Sequence, residues 1–254
     1  FHCDLRWPAS QRRPFLRPNF MTAAHVNTLV LLPGMDGTGE LFSRFVRALG
    51  PDVDARVLRY PVDRPWGYAE LLVFVREALP VDRPYVLLAE SFSGPIGIQI
   101  AAQPPPQLKS LALCCTFARS PRPALRLLGG LLRALPLAAI PVTPLGRVLM
   151  GRDFEPALNA DLAAATRQLP AAVMRARLNA VLGEDATADL RRVVIPVLYL
   201  GAKNDLVVPR SAGARIAEIK PDVEMAELHG PHFLLQTRPA EAAAVVKRFM
   251  LGQR

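Results

Sequence analysis

The stretch "LLAESFSGPIGIQIA" ends an apolar run with Glu90-Ser91-Phe92-Ser93-Gly94 and then turns apolar again. A strand followed at once by a helix, with a serine at the junction, forces that hydroxyl out above a sheet beside a helix N-terminus. A serine that only caps the helix fits the same letters. What separates the two readings is a base and a carboxylate elsewhere, because a serine hydroxyl is a weak nucleophile until its proton is taken. The histidines are His2, His25, His229 and His232. The first two precede or begin the first apolar run, whereas "HGPHFLLQTRP" follows the last one. His232 is the expected base, with His229 as a second-line or structural residue. "VLYLGAKNDLVVP" offers Asp205 just past another apolar run, either to orient the histidine or as a turn residue bonding its own backbone. Asp185 and Asp189 precede that run, at the wrong edge of a parallel sheet.

The elements that must position these residues are legible in the periodicity. Runs at 26–32, 55–60, 85–89, 108–116, 195–202 and 223–228 read as strands. Helical spacing fills 40–49, 68–79, the run after Ser91, 209–219 and 239–251. The alternation predicts an α/β fold with a mostly parallel central sheet flanked by helices. The stretch 118–190 carries no strand signal. Helices are expected at 123–135, 145–150, 156–169 and 171–182, as a lid over the carboxyl edge of the sheet, where ligand chemistry sits in such folds. The expected division is a core at 21–117 and 191–254, a helical lid at 118–190, and a leader at 1–20. That leader, "FHCDLRWPASQRRPFLRPNF", lacks periodicity and a continuous apolar segment, so it reads as a disordered or non-native segment, the alternative being an arm that docks on the domain or on a partner.

The first strand ends in "LLPGMDGTGE". As a phosphate loop it lacks the Gly-Lys-Ser/Thr ending, and its glycines at 34, 37 and 39 run in the wrong order for a dinucleotide fingerprint. An oxyanion hole suits it better, because glycines let backbone N–H groups turn towards a developing alkoxide. The expected donors are the N–H groups of Met35 and Phe92. With Ser91, Asp205 and His232 each after a strand, in that chain order, the blocks "LLPGMDGTG", "AESFSG", "GAKNDLVVP" and "GPHF" resemble the α/β-hydrolases. Within them the chain is similar to the carboxylesterase group, including the pimeloyl carrier-protein methyl ester esterases, and its glycine loop looks like that of phytyl ester synthase-type acyltransferases. Two departures stand out: Ala89-x-Ser91-x-Ser93 where glycines are usual, and Pro33-Gly34 where many relatives have His-Gly.

The resemblance implies a serine esterase working through an acyl-enzyme on small to medium apolar esters. An acyltransferase or thioesterase with the same three residues is the alternative, and a binding module on a hydrolase scaffold is a third class. No metal or organic cofactor is called for. Gly34, Phe117, Met150 and Phe154 are the expected pocket residues. Arginines at 119, 122, 126 and 133 are either a solvated face or a contact for an anionic acyl carrier or lipid.

Composition bounds the rest. In 254 residues of which 51% are hydrophobic, there is ample material for a core. The net charge of +9 comes with few aromatics and no nucleic-acid motif, so no nucleic-acid partner is expected. The leucine-rich 125–140 stretch is broken by arginines, a glycine pair and Pro136, so no membrane span is expected. Cys3, Cys114 and Cys115 make neither a disulfide framework nor a zinc set, which fits a reducing, cytoplasmic compartment. The sequence leaves the oligomeric state open.

Overall fold

A computed structural model describes residues 26–121 and 141–252. The leader at 1–20, His2, His25, Cys3, the arginines at 122, 126 and 133 and the expected helix at 123–135 lie outside the described residues.

Six described strands form one sheet: β1 Thr28–Leu32, β2 Asp54–Val57, β3 Tyr85–Glu90, β4 Leu108–Cys114, β5 Val197–Ala202 and β6 Glu224–Leu228, in the order β2-β1-β3-β4-β5-β6. Every pairing is parallel. β1 and β3 are buried along their whole length, which explains why they read as unbroken apolar runs rather than alternating ones. Successive side chains on a strand still point to opposite faces. Val30, Leu87, Leu111 and Tyr199 pack in one core layer, and Leu29, Val86, Ala112 and Leu198 in the other.

Helices cover both layers. α2 Tyr68–Ala78 and α3 Gly94–Ala101 supply Leu71, Val75, Ile96 and Ile100 to the first. α1 Ser43–Leu49 and α10 Pro239–Leu251 supply Phe45, Leu49, Val246 and Phe249 to the second. Between β4 and β5 the described chain is helical: α4 Val142–Met150, α5 Pro156–Arg167, α6 Ala171–Gly183 and α7 Thr187–Arg192. Beyond β5 come α8 Arg210–Ile219 and, after β6, the short α9 Leu234–Thr237.

Most element bounds shift by one to three residues from expectation, and two differences have a clear cause. β2 stops at Val57 rather than running to Tyr60, because the Tyr60 N–H bonds to the Gly37 carbonyl at 2.8 Å, drawing the chain under the glycine loop. α7 was not expected: it is one and a half turns long, too short for a periodic signal. Its start is marked by Asp185 accepting the Thr187 N–H at 3.1 Å.

Candidate active site

β3 delivers Glu90 in extended conformation, and the next residue, Ser91, adopts a left-handed φ of 49° before the chain enters a short 3-10 turn and α3. A side chain rarely tolerates that region, so the turn must be held from outside. Thr116, just past β4, does so by donating its hydroxyl to the Ser91 carbonyl. Strand and helix approach closely around the serine, and Ala89, two residues before it, is one of the contact points. A Cβ on Gly94 would stand 1.9 Å from the Thr116 Oγ1, and one on Gly97 would stand 2.8 Å from the Ala89 Cβ. Ser93 occupies the usual glycine position with a hydroxyl that has work: it donates to the Pro33 carbonyl and meets the Tyr60 hydroxyl at 2.6 Å.

His232 follows β6 on a loop whose next residue bonds the insert, Phe233 N–H to Leu149 carbonyl at 3.0 Å. The His232 Nε2 lies 2.8 Å from the Ser91 Oγ, and its Nδ1 lies 2.8 Å from the Asp205 Oδ2. An ionised carboxylate only accepts, so the proton sits on Nδ1 and Nε2 accepts from the serine. Asp205 is fixed in turn: its Oδ1 accepts the Val207 and Val208 N–H groups, both at 2.8 Å. The turn bonding and the bond to histidine are therefore not alternatives, since different oxygens make them. His232 is 5% exposed, so the ring is largely screened from solvent outside the cavity it lines.

The other candidates lie elsewhere. His229 is exposed with its Nε2 3.1 Å from the Lys203 Nζ. Asp185 accepts from the Thr187 hydroxyl and faces Arg119 at 3.4 Å. Asp189 pairs with Arg192.

A cavity of about 200 Å³ opens over Ser91. Gly34, Met35, Ser91 and His232 line its sheet side, and Leu145, Leu149, Leu162, Met174 and Phe233 make most of its apolar wall. Of the expected pocket residues only Gly34 is among the lining. Phe117 packs instead with Val208 and Ala212. Met150 is fully buried with Leu41, Leu158 and Leu162, and Phe154 packs against that cluster beneath the Arg147 guanidinium at 5.6 Å. The physical reason is helix phase. Leu145 and Leu149, four apart on α4, share one face, while Met150 is turned about 100° away towards α5. A second hollow of about 510 Å³ beyond Asp205, between β6 and α8, does not include Ser91.

Further groups surround the candidate site; beside the serine, Glu90 is expected from the sequence as a hydrogen-bonding scaffold residue, while Tyr68 and Arg177 carry no sequence signal. Glu90 lines the cavity, and its Oε1 accepts from the Gln236 Nε2 at 2.9 Å. Burial pushes its carboxyl up to about 7, against the pull of that hydrogen bond. The carbonyl of Phe92 accepts the Tyr68 hydroxyl at 2.9 Å, and the carbonyls of Met35 and Asp36 accept from Arg177 on α6 at 2.8 and 2.7 Å. These contacts hold the peptide that follows each expected oxyanion donor; the donor peptides themselves are held at the Ser91 carbonyl by Thr116 and at the Gly34 carbonyl by the Gly37 N–H. Among the described residues no cluster of His, Cys, Asp and Glu is arranged to hold a metal ion, and no helix is long and apolar enough to cross a membrane.

The family model for the alpha/beta hydrolase family matches residues 29–245. A Caulobacter sp. (strain K31) protein bearing the name carbamate hydrolase RutD is 27% identical over 91% of this chain and 93% of its own. A Yersinia enterocolitica protein of the same name is 26% identical over 88% and 87%. The enol-lactonase from Burkholderia xenovorans LB400 superposes with a TM-score of 0.75 at 18% identity, over 89% of this chain and 91% of that one. A hydrolase from Pseudomonas aeruginosa PA01 gives 0.75 at 21%, over 90% and 91%.

Proposed function

Because the chain belongs to the alpha/beta hydrolase family, we propose that it is a serine carboxylic-ester hydrolase that works through an acyl-enzyme on small to medium apolar esters. The observation that carries this reading is the continuous line from Ser91 Oγ to His232 Nε2 at 2.8 Å and from His232 Nδ1 to Asp205 Oδ2 at 2.8 Å. His232 takes the serine proton as Ser91 Oγ attacks the ester carbonyl. The resulting oxyanion is received by the Met35 and Phe92 N–H groups, a kind of donor whose loss typically costs about 3 kcal/mol in the barrier. The imidazolium, stabilised by ionised Asp205, protonates the departing alcohol. Water, activated by the same imidazole, then attacks the acyl-enzyme and releases the acid.

The cavity supports the substrate class. About 200 Å³ under an apolar wall from α4, α5 and α6 suits a short or medium acyl chain rather than a bulky polar group. In this reading those helices act as a lid, with Leu145 and Leu149 facing the substrate. Carbamates form a second class to assay, since proteins bearing that activity in their name are similar over nine-tenths of the chain. Their carbonyl meets the same nucleophile and the same donors. The two free, buried thiols of Cys114 and Cys115 suit a cytoplasmic setting.

A series of chromogenic esters from acetate to dodecanoate, read with wild type and Ser91→Ala, tests the proposal. Turnover peaking at short or medium chains and absent from the variant supports it; turnover that survives the substitution ends it. Product analysis with added alcohol separates water from alcohol as the acyl acceptor.

A further inference from the structure

We infer that Arg177 is a positioning residue that sets the oxyanion hole from the insert, making α6 and the glycine loop one mechanical unit; the inference rests on the acyl-enzyme reading above. Arg177 is fully buried, the largest side chain to be so among the described residues. A buried arginine is costly unless its charge is paired or its donors are hydrogen-bonded. Here backbone carbonyls meet both Nη groups, while the buried Nε has no hydrogen-bond partner among the described residues. Its Nη1 donates to the Met35 and Asp36 carbonyls at 2.8 and 2.7 Å, and its Nη2 donates to the Pro61 carbonyl at 3.0 Å. Its plane lies over the Tyr60 ring, 5.8 Å from the centroid.

The loop is shaped to receive it. Gly37 has φ +72°, and a Cβ there would stand 2.4 Å from the Nη1. The loop's own turn runs from the Gly37 N–H to the Gly34 carbonyl at 3.1 Å. The Met35 N–H belongs to the Gly34–Met35 peptide, whose carbonyl is held by the Gly37 N–H; that N–H shares its peptide with the Asp36 carbonyl gripped by the guanidinium, so Arg177 restrains the donor through this turn. The lining of the cavity by Met174, one turn before Arg177 on α6, gives the same helix a face on the substrate and a hold on the donor.

The test uses Arg177→Met and the more conservative Arg177→Lys, each assayed on an ester that wild type turns over. Active sites are counted by titration with a fluorophosphonate that labels Ser91. Wild type that shows neither labelling nor serine-dependent turnover refutes the acyl-enzyme reading itself, before any question about Arg177. With that established, the expected result is a fall in kcat per titrated site on the order of 10²-fold for Arg177→Met, with KM close to wild type. Arg177→Lys, which keeps a charge and three donors but not the fork, is expected to fall between the two. A merely structural role predicts fewer titratable sites and a lower Tm with wild-type kcat at each remaining site. That result overturns the inference, and Arg177→Lys delivers it where the methionine variant does not fold.

Discussion

The Tyr60 hydroxyl lies 2.6 Å from the Ser93 Oγ, and Ser93 passes the contact on to the Pro33 carbonyl. Two residues past the candidate nucleophile, where a glycine is usual, this chain ties the elbow to the start of the glycine loop. Ser93→Ala and Ser93→Gly both leave the Pro33 carbonyl and the Tyr60 hydroxyl buried without that partner. A loss of about 1–3 kcal/mol in unfolding free energy is expected for each, read by denaturant titration. Restoring the commoner glycine therefore weakens this protein; a stability unchanged or improved would show that the hydroxyl is incidental.

Asp205 divides its oxygens, one to His232 and one to the Val207 and Val208 N–H groups. Asp205→Asn keeps an acceptor for the turn but removes the charge and presents an amide to the ring. A fall in kcat of about 10³–10⁴-fold, with a far smaller change in Tm, is expected from loss of the correct tautomer. Equal collapse of fold and rate would assign Asp205 to structure alone.

Glu90 makes stability depend on pH. Its carboxyl is pushed from the ordinary 4.5 up to about 7, chiefly by burial, with Asp36 adding to the rise and Gln236 and His232 opposing it. The folded state thus holds a proton that the unfolded chain gives up. The stabilisation is fully present below about pH 4.5 and is lost as pH rises through about 7. Glu90→Gln cannot ionise and should lose that slope, a difference of about 3 kcal/mol between the two proteins across the window. Glu184, also pushed up to about 7 by burial, is present in both and cancels in the comparison. Parallel stability curves for wild type and variant would contradict the assignment.

What could be read from the sequence, and what could not, follows from where each signal lives. Ser91, Asp205 and His232 were legible because their residue types are tied to strand ends, and strand ends are marked by apolar runs such as Tyr85–Glu90 giving way to turn residues. The sheet was legible for the same reason. Arg177 was not, because its partners are carbonyls, which every residue possesses. Met150, expected in the pocket wall, packs away from the cavity because one residue of helix phase separates it from Leu149. The end of β2 was misjudged because the Tyr60 N–H is captured by Gly37, a bond between distant segments that leaves no local pattern.

Covalent trapping tests the central claim most directly. The protein is incubated with a fluorophosphonate or a slowly hydrolysed ester, digested, and mapped by mass spectrometry. The account predicts a single adduct on the peptide bearing Ser91, with labelling abolished in Ser91→Ala and strongly slowed in His232→Ala. An adduct on another residue, or one that forms at the wild-type rate without the His232 imidazole, would contradict it.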